Sequence, residues 1–318
     1  MTKSVALGID IGGTNTVYGF VGENGHVHHY KEIPTHGSKL VLDLVDRIDN
    51  RVQSYLRDNT ATVLSGIGIG APNGNHFTGR IQDPPNLSWG NVDIVAFFKE
   101  RFDCDVILTN DANAAALGEK HYGAAKEMDD FIVITLGTGL GSGIFSGGRL
   151  LYGHDGFAGE MGHMPIESEG RDCNCGNSGC LESYASAYGI SKTVKEFLNE
   201  TPEDELLQTI DREKVDGLLI DDAFDAGNET AQKIYEYTGK KLGQGLAQAA
   251  NLLSPEAFVF YGGFSYAGER LLKPAKDAMD AHLINGNAGT INFIQSALPQ
   301  GHAGILGAAS LIWSSMSL

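Results

Sequence analysis

Residues Glu160 to Glu182 read E-M-G-H-M-P-I-E-S-E-G-R-D-C-N-C-G-N-S-G-C-L-E and hold three of the chain's four cysteines. Cys173, Cys175 and Cys180 fall in one Gly-rich loop, with His163 just upstream. Three thiolates and one imidazole make a complete tetrahedral set for zinc, with no coordination position left for a substrate water. The Cys-x-Cys step is tighter than the usual zinc spacing, and two plainer readings stand beside it: small core residues, or a disulfide. A Cys173–Cys175 bridge would close a strained ring, and nothing else in the chain points to an oxidising compartment. Ligand number and the loop glycines favour a structural zinc on His163, Cys173, Cys175 and Cys180.

The same run resembles the signature of the ROK family (repressors, open reading frames and sugar kinases), C-x-C-G-x-x-G-C-x-E. It stands unbroken here as Cys173, Cys175, Gly176, Gly179, Cys180 and Glu182. The preceding Glu160-x-Gly162-His163 resembles that family's sugar-binding segment. The resemblance runs from Ile9 to about Ala309. It implies an α/β chain with the duplicated actin-like (ribonuclease H-like) sugar-kinase fold, two domains around a cleft. The small N-terminal domain would span 1–112, completed by a C-terminal helix at about 301–318. The large domain, 113–300, would carry the zinc loop.

Periodicity alone predicts a duplicated α/β chain. Val5 to Ile11 reads as a buried strand ending in Gly12-Gly13-Thr14-Asn15, followed by strands from Thr16 to Val21 and on to Ile33. At Phe131 the pattern restarts, with a strand to Leu136, the turn Gly137-Thr138-Gly139, a strand to Phe145, a second turn and a strand to Tyr152. Between and after these copies the spacing predicts a helix over Ser38 to Asp58 and strands at Gly66–Gly70, Val106–Thr109 and Ala257–Tyr261. Ala231, Ile234, Thr238, Leu242, Leu246, Ala249 and Leu253 fall on one helical face, which Ser254-Pro255 ends.

Glycine turns between strands let backbone N–H groups approach a phosphate, although a lone Gly-Gly turn is more often only a turn. Neither the P-loop nor the dinucleotide fingerprint is present. The resemblance makes both turns phosphate segments: Asp10, Gly12, Gly13, Thr14 and Asn15 in the first, Thr138 and Gly139 in the second. Gly262 and Gly263 resemble its adenosine segment. Asp10 is placed to hold a hydrated Mg²⁺ through water.

At Asn110-Asp111 a strand end meets a helix, where an aspartate can serve simply as N-cap. In the family pattern the matching residue, Asp111, is the catalytic base. Asn110, Asp111, Glu160, His163 and Glu182 match its sugar contacts, and zinc on one ring nitrogen of His163 would leave the other to donate to a hydroxyl. The plainer reading of Glu160 and Glu182 is surface charge. Asn73, Gly74, Asn75 and Asn86 lie in loops able to close a pocket.

The whole-chain numbers narrow the classes. With 318 residues, 42% hydrophobic and 20% charged, the chain is long and apolar enough for a substantial core. A net charge of −17 disfavours a sequence-independent grip on nucleic acid. No secretory signal is read: the apolar run Val5–Ile11 is short and interrupted by Asp10. The longest uncharged stretch, Phe131 to Gly148, is too rich in glycine, serine and threonine for a membrane span, and the cysteine usage fits a reduced cytoplasm.

The expected activity is therefore ATP-dependent phosphorylation of a hexose at its 6-hydroxyl, with ATP, Mg²⁺ and structural Zn²⁺ as cofactors and a homodimer as the assembly. Glucose is the first substrate expected. Kinases of N-acetylmannosamine, N-acetylglucosamine and fructose share every motif quoted. A sugar-responsive ROK repressor is the rival from another class, and the first strand begins too near Met1 to leave room for a DNA-binding segment. A zinc hydrolase fails because four protein ligands close the metal.

Overall fold

Val5 to Ile9 is one unbroken buried run, the pattern of a strand covered on both faces. In the computed structural model, which describes residues 3–85, 87–200, 203, 204, 206, 208, 210, 215, 217–284, 288–299 and 301–316, this strand, β1 (Lys3–Ile11), is the middle of a five-stranded sheet. Its neighbours are β2 (Asn15–Val21), antiparallel, and β4 (Thr62–Ala71), parallel. With β3 (Val27–Pro34) and β7 (Asp105–Asn110) at the edges, the order is β3-β2-β1-β4-β7. A two-residue pair, β5 (Gly74–Asn75) and β6 (Arg80–Ile81), lies between β4 and β7 in sequence.

The sheet's two faces are covered by different chemistry. One packs against α1 (Val41–Asp58) and α2 (Ile94–Lys99), where Leu7, Ile9, Leu44, Ile48, Ile67 and Phe98 share one apolar core. The other meets α8 (Ala303–Met316), which itself packs on α3 (Asp111–Tyr122). That approach is backbone to backbone. A Cβ at Gly8 or Gly68 would collide with the carbonyl of Ile305 or Ala308, so the glycines of β1 and β4 set how closely α8 lies.

The second sheet repeats the first. Its strands are β8 (Phe131–Leu136), β9 (Leu140–Ser146), β10 (Arg149–Leu150), β11 (Ala257–Tyr261) and β12 (Asn292–Gln295), in the order β10-β9-β8-β11-β12. β11 runs parallel to both β8 and β12. Each sheet thus has three consecutive strands followed by two added through crossovers, which is the expected duplication. Among the described residues, four further helices follow β10: α4 (Ala187–Glu200), α5 (Gly217–Asp225), α6 (Glu229–Leu253) and α7 (Glu269–His282). Asn228 caps α6 by accepting the Ala231 N–H at 2.9 Å, and Ser254 ends it in the left-handed region at φ 47. Six of the seven residues on its expected face are buried, and Leu253, in the last turn, is half-buried.

Three boundaries differ most from the sequence expectation. β4 begins at Thr62 rather than Gly66, with Thr62, Val63 and Leu64 pairing with Lys3, Ser4 and Val5 at the start of β1. α1 begins at Val41 rather than Ser38, because Leu40 is still extended. β10 stops at Leu150 rather than Tyr152, whose ring is stacked on His76 with centroids 4.2 Å apart. The chain divides into two units, residues 1–129, 143–159 and 296–318, and residues 130–142 and 160–295.

Candidate active site

In the first unit, β1, β4 and β7 run parallel, so their carboxyl ends share one edge of the sheet. Register sets Asp10 beside Gly70, Gly70 beside Thr109, and Ala71 beside Asn110. α3 starts at the next residue, Asp111. Its cap is Asn110, whose Oδ1 accepts the Ala112 N–H at 2.8 Å, and Asp111 Oδ1 accepts the same N–H at 2.9 Å. Capping therefore falls to Asn110, and Asp111 occupies the first helical position. One face of Asp111 meets solvent. Burial on its other sides raises its pKa, while N–H groups of Ala112 and Asp111 itself pull it back. The solvent contact limits the rise. Asp10 is half-buried, and its pKa is raised to about 7, by burial first and by the charge of Asp111 second. Two neighbouring carboxyls with separated proton affinities are the usual raw material of acid–base chemistry.

The first glycine turn follows β1 directly. Gly12 N–H donates to Asn15 O at 2.9 Å and closes it. Thr35 braces it from behind, its hydroxyl donating to Gly12 O at 2.7 Å and its N–H to Thr14 O at 2.8 Å. The Thr14 side chain is exposed, Gly12 and Gly13 are half-exposed, and Asn15 Nδ2 donates to Glu32 at 2.5 Å. The loop after β4 is more structural than expected. Asn73 sits at φ 51, and its amide donates to the carbonyls of Gln82 (2.9 Å) and Asp83 (3.1 Å). A Cβ at Gly74 would press on Thr109 O, and Asn75 is buried, donating to Asp155 O at 2.6 Å. Asn86 lies outside the described residues.

In the second unit, one ligand atom from each of His163, Cys173, Cys175 and Cys180 lies within 4.8 Å of all the others. Cys175 Sγ and Cys180 Sγ are 3.7 Å apart, and Cys173 Sγ is 3.6 Å from His163 Nδ1. Tetrahedral zinc with its ordinary bond lengths would set such edges at about 3.8 Å and about 3.6 Å, so the four residues fit that ion. His163 turns Nδ1 toward the thiols, and its Nε2 lies 3.9 Å from Glu160 Oε2. Glu160 is exposed. Glu182 is half-buried, with Oε2 accepting the Leu140 N–H at 2.9 Å and Oε1 4.0 Å from Cys173 Sγ. Thr138 is exposed at the second glycine turn, which Gly137 N–H closes on Gly139 O at 3.0 Å. Gly262, just past β11, has φ 103, and a Cβ there would collide with Leu136 O. Gly263 opens the short 3-10 turn that carries half-exposed Tyr266.

The family model described as ROK family matches residues 6–314. The chain belongs to the ROK family. A glucokinase of Halalkalibacterium halodurans is 36% identical over 315 residues, 96% of this chain and 94% of that protein. The crystal structure of a ROK family glucokinase from Streptomyces griseus, in complex with glucose and AMPPNP, superposes with a TM-score of 0.81 at 33% identity, covering 96% of this chain and 98% of that one. A xylose repressor of Caldicellulosiruptor bescii is 30% identical over 279 residues, 87% of this chain and 69% of the repressor. The fold is accordingly the duplicated actin-like fold of ROK sugar kinases.

One residue of this ROK chain that sequence reading passed over is Arg171, two positions before Cys173. Its five guanidinium N–H groups are all engaged: Nε and one Nη with the Glu196 carboxylate, the rest with Ser183 O (2.9 Å), Gly189 O (3.1 Å) and Thr193 Oγ1 (3.0 Å). The guanidinium also lies over the Tyr184 ring, 4.6 Å from its centroid, and Arg171 N–H donates to the Tyr184 hydroxyl at 2.8 Å. The entry and exit of the cysteine loop are thereby pinned to α4 without any metal. An arginine among acidic neighbours carries no such signal in sequence.

Proposed function

We propose that this chain is an ATP-dependent hexose kinase that transfers the γ-phosphoryl group to the 6-hydroxyl of its substrate, with glucose as that substrate. The observation that carries the reading is the near full-length likeness to a glucokinase crystallised with glucose and AMPPNP, joined to an Asp111 that follows the Asn110 cap and keeps one face open to solvent. The attacking hydroxyl oxygen forms the new bond to γ-phosphorus, the bond from γ-phosphorus to the β–γ bridging oxygen breaks, and ADP leaves. The hydroxyl proton passes to the Asp111 carboxylate. Glu160, His163 and Glu182, with Asn110, hold the sugar hydroxyls, and Asn73 and Gly74 stand in the loop after β4. The two glycine turns, with Thr14 and Thr138, hold phosphate oxygens, and Gly262 and Gly263 leave room for the base.

Mg²⁺ bound with the nucleotide neutralises charge developing on the phosphates, and Asp10 is the residue to hold it through water. His163 Nδ1, Cys173, Cys175 and Cys180 hold zinc as a brace, and Nε2 of His163 then donates toward the sugar. Thiolate ligands suit a reduced cytoplasm. The assembly proposed is a homodimer, which light scattering checks. No helix among the described residues is long and apolar enough to cross a membrane.

A sugar-responsive repressor is the second reading, favoured by the xylose repressor match, although that match spans 69% of the repressor against 94% of the glucokinase. A coupled ADP-release assay over glucose, fructose, mannose, N-acetylmannosamine and N-acetylglucosamine separates the two. Turnover with glucose as the best substrate supports the proposal, a different best sugar overturns the glucose assignment, and sugar binding without ADP release on any member favours the repressor.

A further inference from the structure

The metal loop and the second glycine turn meet at Leu140. Glu182 Oε2 accepts the Leu140 N–H at 2.9 Å, and a Cβ at Gly139 would collide with the same oxygen. A Cβ at Gly162, in the Glu160–His163 segment, would collide with the Leu140 carbonyl. The first amides of α4 take the turn's other groups: Ala187 N–H donates to Gly137 O at 3.0 Å and Tyr188 N–H to Thr138 O at 3.2 Å. The stretch between is itself tied, since buried Ser186 donates its hydroxyl to Glu182 O at 2.8 Å and accepts the Gly189 N–H at 3.1 Å. Residues 182–188 thus grip the turn at three points and begin two positions after Cys180.

We propose that residues 182–188 form a strut joining the sugar subsite to the phosphate turn, with Glu182 a positioning residue for Thr138 as well as a sugar contact. The inference rests on the kinase reading above. A carboxylate receiving a backbone N–H makes a stronger tie than a neutral acceptor would. A sugar hydroxyl on Glu182 fixes that carboxylate, which fixes Leu140 N–H and with it the turn at Thr138. Coupling of this kind is reciprocal, so the nucleotide also prepares the sugar site.

The test is crosswise. Glu182→Ala, titrated by calorimetry with AMPPNP and Mg²⁺ and no sugar present, is expected to bind about ten-fold more weakly than wild type, the scale of one charge-assisted hydrogen bond. Gly139→Ala, titrated with glucose (or the best hexose of the panel) and no nucleotide, is expected to lose about ten-fold in sugar affinity. A residue that only touches sugar, or a turn that only touches phosphate, would give neither cross effect. Unchanged AMPPNP affinity in Glu182→Ala, or unchanged sugar affinity in Gly139→Ala whose thermal melt shows it folded, overturns the strut. If Gly139→Ala does not fold, the Glu182→Ala titration decides alone. Wild-type protein that binds AMPPNP but phosphorylates no hexose would overturn the kinase reading instead, and leave the nucleotide titration as the strut's own test.

Discussion

Asp10 and Asp111 face one another's charge at the carboxyl edge of the first sheet, and Gly70 is the residue between them. Gly70 is the register partner of Asp10, and a Cβ added to it would lie 3.9 Å from Asp10 Oδ1 and 3.7 Å from Asp111 Cα. Burial and mutual repulsion hold the Asp10 carboxyl at about 7. Asp111 keeps solvent on one face and two N–H groups that favour its ionised form. The solvent contact and the two N–H groups favour an ionised Asp111, which is what a base needs, and its charge adds to the rise at Asp10.

Asp111→Asn should lower kcat by at least about 10²-fold while sugar affinity changes little, the usual scale for a general base. Because Asn110 is the cap, the melting temperature should stay within about 2 °C of wild type. Steady-state kinetics and a thermal melt check both halves. A large drop in stability with kinetics intact would return Asp111 to a purely structural role.

Asp10 gives a pH prediction with a definite sign. Its folded-state pKa of about 7 stands above the free value of 3.8. The protonated form is thus favoured by folding, and this contribution is complete below 3.8 and lost as pH rises through about 7. In the absence of Mg²⁺ and nucleotide, wild-type stability should fall between these values, and Asp10→Asn should flatten that fall. Chemical denaturation at pH 5, 6, 7 and 8 measures it. Parallel pH profiles for the two proteins would contradict the assignment.

Thr138→Val removes one exposed hydroxyl and leaves the turn anchored, because the Tyr188 N–H bonds the Thr138 carbonyl and not its side chain. If that hydroxyl serves the γ-phosphate in the transition state, kcat should fall by roughly 10- to 100-fold and AMPPNP affinity by much less. Equal losses in both would mean ground-state binding only.

Cys175→Ser and Arg171→Ala should separate metal from scaffold. Wild-type protein should carry about one zinc per chain and Cys175→Ser little, with sugar affinity reduced and the global melt almost unchanged, since Arg171 still pins both ends of the loop. Arg171→Ala leaves two carbonyls and the Thr193 hydroxyl without their guanidinium partner, while the exposed Glu196 carboxylate returns to water, and should cost roughly 2 kcal/mol. Metal analysis and urea melts read the two effects. Global unfolding of Cys175→Ser would show that the metal, not Arg171, holds the loop.

The fold was legible where pattern is local. Phe131–Leu136 lies between Asp129-Asp130 and Gly137, and Ala257–Tyr261 between Pro255-Glu256 and Gly262, and strand limits there coincide with expectation. The cysteine spacing pointed to the cluster of His163, Cys173, Cys175 and Cys180 because ligand chemistry is written in residue type. What stayed hidden was contact at long separation. Nothing in sequence says that Asn110 rather than Asp111 caps α3, that the Asn73 amide is spent on Gln82 and Asp83, or that Glu182 reaches Leu140, 42 positions away. Those depend on which way a side chain turns once the sheets are built, and glycine positions such as Gly139 acquire meaning only then.

The most direct measurement is to follow the phosphoryl group itself. Wild-type protein incubated with glucose, Mg²⁺ and ATP labelled in the γ-phosphoryl group should place the label on the sugar's 6-oxygen, read by ³¹P NMR, and Asp111→Asn should leave it on ATP over the same period. Label retained on ATP or released as inorganic phosphate by wild-type protein, with every sugar of the panel, would contradict the account.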